Sequence, residues 1–344
     1  VPHFEKMLYD NALLTRTYLH AWQVTGEDRH LRVVTSTIDY VLDRLSHPDG
    51  GRYSAEDADS LPEHGAAHAV EGAHYLWTPD QVRRVLDDAD LGPLSEELCD
   101  WYGIGGPAHL DGAHVPNRLH HVHDDVLPTH LAPAREALVL ARAGRPAPGL
   151  DDKVLTEWNA LMLAALAEAA GATGRADWLD AARATAEFLC THLRREDPAR
   201  PGRTRWLRSW HADANPDVGS GTSNLAFAAD HGALVDGFLC LYEATGELRW
   251  LHEAVGTAED LLELFWDMSG GVWSTGDDAE QLVARPKDLM DNATPSANSL
   301  TATGLLRLEA HTGEARYGEH ARTILRTLGG VAGRHALAFG HLLW

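Results

Sequence analysis

Residues 159–189, NALMLAALAEAAGATGRADWLDAARATAEFL, set the reading of the whole chain. Leu161, Leu163, Ala164, Leu166 and Ala167 form an apolar run at helical spacing, the pair Thr173-Gly174 interrupts it, and Trp178, Leu179, Ala182 and Leu189 begin another. A glycine at that place reads as a left-handed C-cap that stops one helix and turns the chain into the next. The same dipeptide recurs at Thr25-Gly26, Thr245-Gly246 and Thr312-Gly313, each between apolar runs. Three of these units continue into short extended pieces, GGRYSA at 50–55, TRWLRSW at 204–210 and GGVWST at 270–275. One unit is therefore helix, Thr-Gly turn, helix and extended return. A hairpin of this kind buries its apolar face only against its neighbours, so the units are expected to stack. A ring of α-hairpins is the expected architecture, with an open solenoid as the alternative.

The gap between Gly26 and Gly174 is about twice the other two, which predicts a degenerate unit inside it. Residues 60–150 carry weaker helical patterns at 79–88 and 132–143, separated by a loop rich in histidine and proline. They read as an altered hairpin plus an insertion within one domain spanning 1–344.

Composition narrows the function. A 344-residue chain that is 44% hydrophobic can bury a large core. Its 51 acidic and 29 basic residues give a formal charge of −22, which repels phosphate backbones and anionic lipid and argues against a nucleic-acid or membrane-surface role. Apolar runs such as 160–167 fall far short of the ~20 residues of a membrane span. Cys99, Cys190 and Cys240 are odd in number and form no CxxC, a pattern that fits a reducing cytoplasm. The chain opens at Val1 with no charged-then-apolar leader, so a signal peptide is not expected and the start reads as a fragment boundary.

Aligning the units on their turn glycines exposes a shared polar position. Fifteen residues before each glycine stand Asn11, Asn159, His231 and Asn298, and one position earlier stand Asp10, Trp158, Asp230 and Ala297. Asn and His are middling helix formers, so either they tie adjacent hairpins together by hydrogen bonds or they face a ligand. The starts of the first helices also hold His3, Glu5, Lys6 and Tyr9, and later Arg285, Lys287, Asp288, Asp291 and Ser296. In a ring these starts converge on one mouth, where a pocket for a small molecule would form. Asp57 and Asp59, on one face of the first return with Glu56 on the other, add carboxylates. Eleven tryptophans are mostly core, and Trp158 is the one best placed to stack on a sugar ring.

The segments VPHFEKMLYDNA, YSAEDADS, DDKVLTEWNALM and RPKDLMDNATPSANS together resemble the thioredoxin-domain family that includes spermatogenesis-associated protein 20 and its bacterial relatives. The resemblance runs in order along almost the whole chain. It implies an all-α (α/α)6 toroid, related in fold to six-hairpin glycosidases and N-acylglucosamine 2-epimerases, preceded in the family by a thioredoxin-like domain that would act as partner. It also implies that this chain starts at the second hairpin and stops before the family's C-terminal segment. The family's HFEKMLYDN falls on His3 to Asn11, its AEDADS on Ala55 to Ser60, and its DDKVLT-WN on Asp151 to Asn159 with position 157 open. Its RPKD and ATPS-N fall on Arg285 to Asp288 and on Ala293 to Asn298. Two departures stand out: LPEHGAAHAVEGAHYL replaces an acidic, glycine-rich segment after Ser60, and His231 replaces a tyrosine.

The expected chemistry is sugar epimerisation or isomerisation by proton transfer beside a carbonyl. His3 and His231 are the candidates for the transfer, Asp57, Asp59 and Asp230 orient or replace them, and Lys6 and Lys287 stabilise an enediolate oxygen. The substrate-binding set is Glu5, Lys6, Tyr9, Asp10, Asn11, Trp158, Asn159, Arg285, Lys287, Asp288, Ser296 and Asn298. An inverting glycosidase is the second enzymatic reading, with Asp57 or Asp59 opposite Asp230 or Asp288. A non-catalytic binding or scaffold module is the third. No cofactor is expected. The histidines His109, His114, His120, His121, His123 and His130 raise a metal question, but HHVHDD matches no established ligand spacing.

Overall fold

The structure is a computed structural model. It describes residues 3–110, 112–122, 124, 126–197, 202–211, 224–279 and 283–343. Among these, eleven α-helices and nine short strands alternate along the chain, and packing divides it into two compact units. The first unit comprises residues 1–6 and 55–151, the second residues 7–54 and 152–344.

The second unit is built from the predicted hairpins: α1 (Leu8–Thr25) with α2 (Asp28–Arg44), α6 (Thr156–Thr173) with α7 (Ala176–His192), α8 (Ala228–Thr245) with α9 (Leu248–Phe265), and α10 (Ala297–Thr312) with α11 (Ala315–Ala332). All four turn glycines adopt the left-handed conformation, with φ of 68°, 74°, 72° and 73° at Gly26, Gly174, Gly246 and Gly313. The threonine before each explains why the pair repeats. Its hydroxyl donates to the carbonyl four residues back, at 2.7 Å in Thr25 and 2.6 Å in Thr173. In Thr25, Thr245 and Thr312 it also accepts the N–H two residues on, at 3.2 Å, so one side chain closes the first helix and opens the second.

First and second helices differ in burial. α6 and α8 are buried along most of their length, whereas α2 buries a single stripe of Val34, Ile38 and Val41. The first helices pack in the order α1, α6, α8, α10, forming an inner row against which the second helices lie. The core runs along this row, from Leu8 and Leu19 through Leu163 and Leu166 to Leu239 and Leu305. Of the predicted returns, 204–210 forms strands β8 (Thr204–Trp206) and β9 (Ser209–Trp210), 50–55 makes a bridge at Ser46–Arg52 and runs into a strand at Ala55, and 270–275 makes an isolated bridge at Trp266–Val272.

The degenerate hairpin expected between the first two turns is not part of this row, because α1 packs directly on α6. The predicted helices do form, as α3 (Pro79–Asp88) and α5 (Ala132–Ala143), but they belong to the first unit. There they pack on each other and on an unforeseen helix, α4 (Ser95–Trp101), around a separate core that includes Val82, Leu86, Leu98, Trp101 and Leu131. Strands β2 (Ala55–Glu56) and β5 (Leu150–Asp151) pair antiparallel where the chain enters and leaves this unit. Among the described residues no helix is long and apolar enough to cross a membrane.

Candidate functional site

At two of its four occurrences the shared polar position is a clamp between hairpins. Asn159, on α6, accepts the backbone N–H of Arg52 at 2.7 Å and donates to the carbonyls of Arg52 and Leu155, both at 2.9 Å. Asn298, on α10, repeats the arrangement on Val272, accepting its N–H at 2.9 Å and donating to its carbonyl at 3.1 Å. Each amide thus brackets one residue of the return that follows the preceding second helix. Asn11 donates to the carbonyl of Met7 at 2.7 Å. His231 does likewise through Nδ1 to Phe227 at 2.8 Å, which leaves Nε2 as the acceptor for the Arg205 guanidinium at 3.4 Å. Burial drives the His231 pKa down to about 3, so the ring is neutral and fully enclosed.

The remaining residues singled out from the sequence fall in both units. In the first, exposed His3 bonds to Glu5 at 3.1 Å and Glu71 at 3.2 Å, and these bonds raise its pKa. Lys6 lies 3.6 Å from the centre of the Tyr75 ring, with burial pulling its pKa down to about 8. Asp57 and Asp59 are exposed, and the alternation holds, since Glu56 on the other face is buried. In the second unit Tyr9 meets Trp158 edge-on at 4.9 Å, and Asp10 lies exposed beside it in sequence. The segment 285–298 mainly ties down the start of α10. Asp288 accepts the N–H of Ala297 at 3.1 Å, Asp291 that of Ser296 at 2.8 Å, and Ser296 caps the helix through Ser299. Arg285 holds the carbonyl of Thr275, and Lys287 pairs with Asp267 at 2.5 Å and donates to the carbonyl of Gly270 at 2.6 Å. Of the loop histidines, His123 lies outside the described residues. Among those described, no group of three or more His, Cys, Asp or Glu stands together as a metal cage.

A cavity of about 360 Å³ opens in the second unit between α1, the loop 291–295 and the C-terminal segment. Leu13, Arg16, Thr17 and His20 line it from α1, with Asp291, Thr294 and Pro295 on the loop and His341 on the tail. None of the proposed catalytic or binding residues lines it. It lies one to two turns beyond Asn11 along α1, and its other walls come from segments outside the helical repeat.

Charge is organised behind this cavity. Arg16 is buried and grips Glu168 at 2.7 and 3.0 Å and Asp236 at 2.7 Å. Glu168 in turn holds His20 Nε2 at 3.2 Å. Although burial opposes it, the bonds from His20 and the charge of Arg16 hold the Glu168 pKa down at about 2, so it is a carboxylate. A carboxylate only accepts, which makes Nε2 of His20 the protonated nitrogen. Across the cavity His341 bonds to Thr303 at 3.3 Å, and burial lowers its pKa.

A second titratable pair adjoins the loop. Asp230 is fully buried, accepts the N–H groups of Phe227 at 2.7 Å and Glu157 at 3.0 Å, and pairs with Arg208 at 2.9 Å. Glu157, also buried, reaches Arg208 only at 3.3 Å and bonds to Thr294 on the cavity rim. Burial first, then the Asp230 charge, pushes its pKa up to about 7. Burial raises the Asp230 pKa too, but Arg208 and the N–H groups of Phe227 and Glu157 oppose it there, so of the two carboxyls Glu157 is the one that holds the proton more readily. In sequence Glu157 reads as an ordinary first-turn acid facing the helix dipole, and nothing local sets it apart.

No protein-family model matches the chain. The chain is 35% identical over 341 residues to spermatogenesis-associated protein 20 of Mus musculus, covering 91% of this chain and 42% of that protein. The Homo sapiens protein of the same name gives the same identity and coverage. The chain thus spans less than half the length of these relatives. Among solved structures, cellobiose 2-epimerase from Bacillus thermoamylovorans B4167 superposes with a TM-score of 0.53 at 9% identity, covering 94% of this chain and 61% of that one. The chain is therefore similar in sequence to spermatogenesis-associated protein 20, and its fold is all-α, of the (α/α)6 toroid class.

Proposed function

We propose that the cavity of the second unit is a proton-transfer site of a sugar epimerase or isomerase. The observation that carries this reading is the pair of imidazoles, His20 and His341, lining one cavity. Its volume falls within the ~300–1,000 Å³ usual for small-molecule sites. His341, kept neutral by burial, is the candidate base for the proton beside the carbonyl. His20 is the candidate acid, aimed by Glu168, which Arg16 holds in turn. A catalytic imidazole oriented by a fixed carboxylate is a recurring solution to this positioning problem. The epimerase named above shares the fold, which is consistent with this chemistry.

The test is incubation with a panel of aldoses and ketoses in heavy water, with deuterium at C2 followed by NMR. Exchange is expected with at least one sugar, and H20A and H341A should each slow it by about 10²-fold or more. Absence of exchange across the panel would overturn the reading.

Glu157 favours a second reading. A carboxyl that still carries its proton near pH 7, bonded to a residue of the cavity rim, is suited to protonate a leaving group, as a glycoside hydrolase requires. Release of reducing sugar from neutral glycosides, abolished by E157Q, would select hydrolysis over isomerisation.

A further inference from the structure

The first unit holds a cavity of its own, about 290 Å³ in volume. One wall is a face of α5, where Leu138 and Val139 stand three and four residues after Arg135 and four and three before Arg142, the spacings that align side chains. Trp77 and Tyr102 contribute aromatic surface to the same cavity.

The two arginines of this wall differ from several others in the chain. At a net charge of −22 carboxylates are abundant, and Arg16, Arg175, Arg203, Arg249, Arg307 and Arg316 are each held by one or more. Arg135 and Arg142 have no carboxylate within ion-pair distance among the described residues, and the Arg142 guanidinium lies 5.8 Å from the centre of the Tyr75 ring. Further cations crowd the vicinity. Arg145 stacks over the Trp77 ring at 3.9 Å and donates to the carbonyls of His74 and Leu76, and Lys6 sits over Tyr75. Burial is the main force lowering the pKa values of Lys6 and Arg145; the Glu56 charge opposes it in Lys6, and repulsion from Arg142 adds to it in both. Lys6, Arg142 and Arg145 thus gather beside the Tyr75 and Trp77 rings, and an anion bound among them would relieve their mutual repulsion.

We propose that this cavity binds a ring-bearing organic oxyanion, a sugar carrying a carboxylate or a phosphate, with Arg135 and Arg142 gripping the anionic group and Trp77 and Tyr102 lying against the ring. Guanidinium groups match both anions with paired hydrogen bonds. Aromatic surface with its electron-rich faces suits the C–H groups of a sugar ring.

The test is calorimetric titration of the full chain with glucuronate, glucose 6-phosphate, inorganic phosphate and glucose. Binding of glucuronate or glucose 6-phosphate is expected with a Kd below about 1 mM, and whichever binds identifies the anion. R135Q and R142Q, each with unchanged circular dichroism and melting, should weaken that binding by about tenfold or more. Glucose binding as tightly as the charged sugars would remove the role of the anion. Inorganic phosphate binding as tightly would remove that of the ring. No heat from either charged sugar at about 10 mM, or unaltered affinity in R142Q, would overturn the proposal outright.

Discussion

Asn159 and Asn298 illustrate how a single side chain can matter more through what it leaves unpaired than through the bonds it makes. Replacing either with alanine strands a buried N–H and a buried carbonyl, at roughly 1–3 kcal/mol for each group. N159A and N298A should therefore each lose about 2–4 kcal/mol in chemical denaturation, and N11A, which frees one partly buried carbonyl, about 1 kcal/mol. Equal losses for all three would contradict the clamp. Glu157 makes a different prediction. Its pKa is about 7 in the folded protein, above the ordinary value of about 4.3 when unfolded. The folded state then binds the extra proton, so the stabilising effect is complete below about pH 4.3 and is lost as pH rises through 7. Relative to E157Q, the native protein should lose roughly 2–3 kcal/mol between about pH 4.5 and pH 7.5. The alignment on turn glycines made the clamp position visible because a repeated contact leaves a repeated residue. Glu157, His20 and His341 left no such trace, since their behaviour comes from neighbours distant in sequence: Asp230 and Arg208, Glu168, and the enclosing walls.

Elements repeat the same contrast between local and distant causes. The Thr-Gly turns were legible because hydroxyl, glycine and helix end lie within a few residues of one another. Gly26 is left-handed, yet a Cβ there would meet nothing within 4 Å, so G26A should cost about 1–2 kcal/mol from backbone strain alone. Gly50, in the return after α2, has φ of 105°, and a Cβ would fall 2.6 Å from the Ala184 carbonyl on α7. G50A therefore adds a clash with a neighbouring helix and should cost at least about 3 kcal/mol, read as a larger fall in melting temperature than in G26A. The helices α3 and α5 were also legible, from their apolar periodicity. Their place was not, because periodicity identifies which face is apolar and says nothing about which neighbour covers it. Trp77, Leu98 and Leu131 supply that cover within their own unit, in place of a slot in the inner row.

Across the molecule, the charge of −22 is read directly from composition and acts on stability through self-repulsion. Raising NaCl from about 10 to about 150 mM shortens the screening length from about 30 to about 8 Å, so the melting temperature should rise over that interval. A fall would mean that surface ion pairs such as Arg316–Glu259 outweigh the net charge. The hairpin order was legible at this scale too, whereas the cavity was not, because its tail wall carries no periodic pattern. The clamps have one further consequence. Asn159 and Asn298 read only the peptide groups of Arg52 and Val272, so an arginine and a valine serve equally well as the partner. These two joints are blind to side-chain identity: the return they hold can drift in sequence and still fit its neighbour, as one interchangeable brick fits another.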